Sequence, residues 1–108
     1  MKARIPNQPS RNDMMQKIQK MQEEMSNVQE EVENSEFSAS SGGGAVEVTV
    51  SGAHEVKAIN LQPDVVDPED IEMLSDLLIA ATNEAMRKAD DAMEQAMGAF
   101  KSGLNLPF

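Results

Sequence analysis

The chain contains no cysteine. Disulfide frameworks, cysteine-zinc sites and thiol catalysis are therefore excluded. It has no tryptophan or tyrosine, and its only aromatic residues are three phenylalanines. Large apolar anchors are scarce, so a single copy of this 108-residue chain has little with which to build a core, and self-association is expected. No apolar run is long enough to span a bilayer, and none follows the charges of Met1–Asn7. A soluble, cytosolic protein is expected, with no membrane partner. A single histidine, His54, cannot complete a metal site or a catalytic triad without a second ligand or base. It is expected to bond a neighbouring backbone group.

Basic side chains are also few, and they are unevenly placed. Net charge is −10. Residues 1–22 carry Lys2, Arg4, Arg11, Lys17 and Lys20 against Asp13 alone, whereas residues 23–108 carry four basic and eighteen acidic groups. This describes a basic arm on an acidic body. Pro6, Asn7, Gln8, Pro9 and Ser10 make residues 1–11 a flexible arm, and residues 12–108 read as one dimerising domain.

The centre of that domain is Ser41–Pro63. Val46, Val48 and Val50 alternate with Glu47 and Thr49, the period of a strand with one apolar face. Ser51-Gly52-Ala53-His54 reads as a turn in which Gly52 takes a positive φ. A second strand runs from Glu55 to Leu61, where Ile59 and Leu61 break the alternation set by Val56 and Ala58 and require a bulge or burial on both faces. Glu36–Ser40 is a shorter strand with Phe37 and Ala39 on one face. Ser40–Gly44 is a glycine-rich, mobile loop. Two strands are marginal in water, and the flanking helices are expected to cover the sheet.

In the first helix, capped by Asn12 or Asp13, the positions Met14, Ile18, Met21, Met25, Val28 and Val32 are spaced 4, 3, 4, 3, 4. That spacing is a heptad seam and predicts a dimer contact. The helix is longer than a small sheet, so part of it projects. Asp67-Pro68-Glu69-Asp70 reads as the start of the second helix, with Asp67 at the cap. Its face is bulky to Leu78, for packing on the sheet, and alanine-rich from Ala80, for close helix approach. Gly103 ends it, before an apolar tail through Phe108. The class is α+β, with the order helix, three-stranded antiparallel meander, helix.

Several stretches in this order are familiar together. They are Met14-Met15-Gln16-Lys17-Ile18-Gln19-Lys20-Met21-Gln22, Gly43-Gly44-Ala45-Val46-Glu47-Val48-Thr49-Val50-Ser51-Gly52-Ala53-His54-Glu55-Val56, Leu74–Ala85, and Leu106-Pro107-Phe108. From about residue 12 onward the chain resembles the YbaB/EbfC family of bacterial nucleoid-associated proteins. The resemblance implies an intertwined homodimer with helices projecting like tweezers, DNA as partner, a place in the nucleoid, and no catalytic residues. It also implies an effect on nucleoid organisation or gene expression. The Pro-containing arm stands where that family has a Gly-rich start.

The candidate DNA contacts are Arg11, Lys17 and Lys20, off the heptad seam, with Arg87 and Lys88 as the only basic pair of the acidic half. Each neutralised phosphate steepens the salt dependence of binding by about 0.9. Gln16, Gln19 and Gln22 have the chemistry to read bases, but fit an ordinary helix surface. Asp64, Asp67, Glu69 and Asp70 lack calcium-loop spacing, and Gly42–Gly44 precedes a strand without a Gly-Lys-Ser/Thr, so neither a calcium site nor a phosphate loop is read here. No cofactor, no small-molecule substrate and no enzymatic activity are expected. The reading from a different class is a chaperone-like or scaffold module, holding protein clients on a methionine-rich helical surface.

Overall fold

The computed structural model describes residues 11–104, with side chains as far as Phe100. Helix α1 (Arg11–Glu33) leads into strands β1 (Glu36–Ser41), β2 (Val46–Ser51) and β3 (Val56–Leu61). A single 3-10 turn, Pro63–Val65, then precedes helix α2 (Ile71–Leu104). The strands form one antiparallel sheet in the order β1-β2-β3. This is the expected α+β meander. The chain is elongated, with extents of 90 × 22 × 16 Å and a radius of gyration of 22.6 Å. A compact chain of this length would have a radius near ~13 Å.

The core is built on the central strand. Val46, Val48 and Val50 are fully buried, and across from them lie Ala81, Ala85 and Ala89 of α2. Each buried valine contributes about 1.5–3 kcal/mol relative to exposure. Alanine leaves no bulk between helix and strand, so α2 can lie close on β1 and β2. The alanine-rich face was expected to serve a helix pair. It serves the sheet instead, and Leu74, Leu77 and Leu78 pack at the margin of the core.

Side-chain bonds orient α2. The Ser41 hydroxyl donates to the Leu77 carbonyl at 2.7 Å, and Lys88 Nζ donates to the Ser38 carbonyl at 2.8 Å. The helix therefore runs back along β1 and then past the β2–β3 turn. Only α2 covers the sheet. The expectation that both helices do so is corrected: α1 packs chiefly on α2. Its seam residues Met21, Met25, Val28 and Val32 are half-buried, whereas Met14 and Ile18 are 52% and 56% exposed.

The β2–β3 connection departs from its expected geometry in an informative way. The residue with positive φ is His54, at 66°, and not Gly52. Gly52 is buried, and its N–H donates to the Ser35 carbonyl at 3.1 Å. A Cβ there would stand 2.0 Å from the Val32 carbonyl oxygen. Glycine is required for the close approach of α1, not for a left-handed backbone. The Ser51 hydroxyl accepts from the N–H groups of Ala53 (3.2 Å) and Glu55 (3.3 Å), which stabilises the turn.

The expected bulge lies in β3: Thr49 pairs with Ala58 but Val50 pairs with Val56, leaving Lys57 as the extra residue. Strand β3 is exposed along its whole length, so it is not buried on both faces. The loop expected at Ser40–Gly44 begins later, since Ser40 and Ser41 pair within β1, and residues 42–45 make a defined turn in which Gly42, Gly43 and Gly44 all have positive φ. The cap of α2 is Asp70, whose carboxylate accepts the Met73 N–H at 3.3 Å. Asp67, expected as the cap, closes the preceding turn by accepting the Glu69 N–H at 3.0 Å. Asn12 and Asp13 lie inside α1, which is already helical at Arg11, and α2 continues past Gly103 to Leu104. The flexible-arm assignment otherwise falls on residues 1–10, outside the described residues, as does the tail beyond Leu104.

Candidate nucleic-acid interface

Helix α1 is polarised along its length. Its first twelve residues carry Arg11, Lys17 and Lys20 with Asp13, and its last eleven carry Glu23, Glu24, Glu30, Glu31 and Glu33 with no cation. Straight-chain Lys, Arg, Gln, Glu and Met are good helix formers, and they keep this element helical where packing on the rest of the chain fades. Arg11, Lys17 and Lys20 are all exposed. Asp13, Gln16, Lys17 and Lys20 line one shallow depression of about 350 Å³. With a rise of ~1.5 Å per residue, Lys20 lies roughly 18 Å and Arg11 roughly 32 Å along the helix from Val32. The cations thus stand well away from the point where α1 meets the sheet.

The other two candidate cations are placed differently. Arg87 pairs with Glu84, one turn before it on α2, and the i,i+3 spacing of the two residues was visible in the sequence. Lys88 is held on the Ser38 carbonyl, at the sheet. Within one chain, Arg87 and Lys88 do not join Arg11, Lys17 and Lys20 in a common patch. Gln16, Gln19 and Gln22 are exposed on the same segment of α1 as the cations.

At the other end of α1, Gly52 and His54 form a cavity of about 520 Å³ with Asp90, Met93, Glu94, Met97 and Gly98 of α2. The His54 ring pairs with the Asp90 carboxylate. A backbone partner was expected for this ring, and the correction has a simple cause. The left-handed backbone at His54 turns the side chain toward α2, where Asp90 stands one turn past Met86. No group of three or more candidate ligands capable of holding a metal occurs among the described residues.

A family model described as the YbaB/EbfC DNA-binding family matches residues 8–104. The chain belongs to that family. This YbaB/EbfC chain is 50% identical over 99 residues to a nucleoid-associated protein of Alkaliphilus metalliredigens, covering 92% of this chain and 87% of that relative. A nucleoid-associated protein of Clostridium novyi is also 50% identical, with coverages of 89% and 84%. Among solved structures, an uncharacterized protein of Helicobacter pylori shares the fold with a TM-score of 0.71 at 20% identity. That alignment covers 85% of this YbaB/EbfC chain and 97% of the other. No helix among the described residues is long and apolar enough to cross a membrane.

Proposed function

We propose that this protein binds duplex DNA as a homodimer in the bacterial nucleoid, through the basic end of α1, and thereby affects nucleoid organisation or gene expression. The observation that carries the reading is the segregation of exposed Arg11, Lys17 and Lys20 onto a projecting helix end in a member of a DNA-binding family. The acidic body opposes approach to phosphate elsewhere on the surface, so it orients binding toward the basic end of α1. Arg87 and Lys88 are supporting contacts at most, because each already has a partner within its own chain.

The surface proposed for dimerisation is the part of the sheet that α2 leaves open. Register places Ile59 opposite Val48 and Leu61 opposite Val46, so both point to the same side as the buried valines. Yet Ile59 and Leu61 are exposed, as is Val56. By helical spacing Ile71, Ile79 and Met86 fall on the flank of α2 away from Leu77 and Lys88, which bond Ser41 and Ser38 of β1. That flank overlooks β3. Exposed Val56, Ile59, Leu61, Ile71 and Ile79 then offer apolar area beside the unpaired edge of β3, a surface that suits a second copy. Along the α1 seam, Met21, Met25, Val28 and Val32 are half-buried within the chain, whereas Met14 and Ile18 are exposed.

A mobility-shift titration of mixed-sequence duplex at several salt concentrations tests the function. Arg11, Lys17 and Lys20 on each of two α1 ends predict a log–log salt slope of about −5. Affinity that does not change with salt, or no binding at low salt, would overturn the reading and favour the protein-binding module.

A further inference from the structure

We propose that a stripe of side-chain amides on the basic end of α1, formed by Asn12, Gln16 and Gln19, reads adenine edges in the major groove, so that this protein prefers A·T pairs to G·C pairs. The proposal rests on the reading that this end of α1 meets DNA, and it adds what that end recognises there.

Helical spacing makes the stripe. Asn12, Gln16 and Gln19 are four and three residues apart, so at ~100° per residue they fall within an arc of about 60° on one face of α1. All three are exposed. Around the same helix Lys20 and Lys17 follow on one flank of the stripe, and Met15 and Arg11 on the other. The two shallow depressions of this segment agree with that order. Gln16 shares one with Asp13, Lys17 and Lys20, and Gln19 shares the other with Met15, Ile18 and Gln22. The amides thus stand between cations. From Asn12 to Gln19 the axis advances ~10 Å, or about three base-pair steps.

The major groove of B-DNA is about 12 Å wide and admits an α-helix, provided that no other part of the protein covers the helix over that length. Residues 11–20 meet this condition, since every one of them is exposed. Laid in the groove with the stripe inward, the segment directs Lys17 and Lys20 toward one phosphate strand and Arg11 toward the other. The amides then face the base edges. A primary amide sets an N–H donor beside a carbonyl acceptor, and adenine is its complement, because N7 accepts and the N6 amino group donates. Guanine presents two acceptors, N7 and O6, so one of the two bonds is lost there. Met15, beside the stripe, suits the methyl group of thymine. The next residue on the same line is Glu23, whose charge opposes entry of the acidic half of α1 and confines the reading to about three base pairs.

Binding of the full chain, at fixed salt, to duplexes of equal length built from A·T, G·C or inosine·C pairs tests the proposal. Inosine·C keeps the minor groove of A·T but presents N7 and O6 in the major groove, as G·C does. The A·T duplex should bind at least about fivefold more tightly than either of the others, the low end of what one bidentate amide–adenine contact discriminates. Gln16→Ala should remove most of that preference. It should leave the affinity for G·C and the salt slope unchanged, because no charge is lost. Gln29→Ala makes the same change at an exposed position on the acidic half of α1 and should keep the preference. Equal affinity for the three duplexes, inosine·C binding as A·T does, or an equal loss in the two variants would overturn the proposal and leave DNA binding by α1 standing. No binding to any duplex at low salt would overturn both.

Discussion

Replacing Gly52 by alanine isolates one close contact on which the whole junction depends. The added methyl would meet the Val32 carbonyl oxygen at 2.0 Å, the Val32 carbonyl carbon at 2.6 Å and Glu33 Cα at 3.0 Å. All three are backbone atoms of α1, so no side chain can rotate away, and the helix end must retreat by at least the 1.0 Å between 2.0 and 3.0 Å. Overpacking of a well-packed site costs about 1–3 kcal/mol, and a backbone neighbour places this case at the upper end. The smaller entropy of the unfolded chain returns about 0.4–1 kcal/mol. A net loss of about 2 kcal/mol follows, or a fall in Tm of about 8–16 °C at fixed protein concentration. Two other glycines serve as controls. At Gly98 a Cβ meets nothing within 4 Å, and in mid-helix alanine should stabilise by about 1 kcal/mol. At Gly43 the space is open but φ is +67°, so alanine should cost about 1 kcal/mol through backbone strain alone. Melting curves by far-UV circular dichroism should rank the variants Gly98→Ala, wild type, Gly43→Ala, Gly52→Ala. A Gly52→Ala protein melting within about 2 °C of wild type would refute the close-approach account.

Two further outcomes test the packing and the assembly. Leu77→Ala removes a side chain packed against the core and should cost roughly 2 kcal/mol or more, whereas Met15→Ala, 62% exposed, should shift Tm little; equal losses would contradict the face assignment. Ile59→Asp places a charge on the open sheet face. Sedimentation equilibrium should show a dimer for wild type and a folded monomer for the variant, and an unchanged dimer would move the interface elsewhere.

Much of this architecture was legible because β2 states its pattern plainly. Three valines in strict alternation fix a strand, its face and its central place, and the neighbours then follow from turn chemistry and length. The bulge was readable too, since Ile59 and Leu61 can join the face of Val56 only if one residue is skipped. What was hidden depended on distance. Gly52 looks like a turn glycine in sequence, and only the nearness of Val32, twenty positions earlier, shows that it is a contact glycine. The same holds for Ala81, Ala85 and Ala89: small residues announce a close neighbour without saying whether it is a helix or a strand. Asp67 and Asp70 both offer a capping carboxylate, and the choice was decided by where the turn before α2 closes. For the candidate interface, charge segregation points to Arg11, Lys17 and Lys20, which are exposed on the first half of α1. It could not reveal that the Lys88 ammonium is held by a carbonyl fifty residues away in the chain.

The central claim is that the basic end of α1 meets DNA phosphate, and the salt dependence of a Lys17→Ala/Lys20→Ala variant tests it most directly. Both side chains are exposed and lie outside the core, so the variant should keep the wild-type Tm and oligomeric state. Its affinity should fall for all duplex sequences alike. The log–log salt slope should shrink by about 2 if one arm of the dimer engages DNA and by about 4 if both do, near 0.9 for each phosphate that is no longer neutralised. A folded variant with unchanged affinity and unchanged slope would show that DNA is not held by α1.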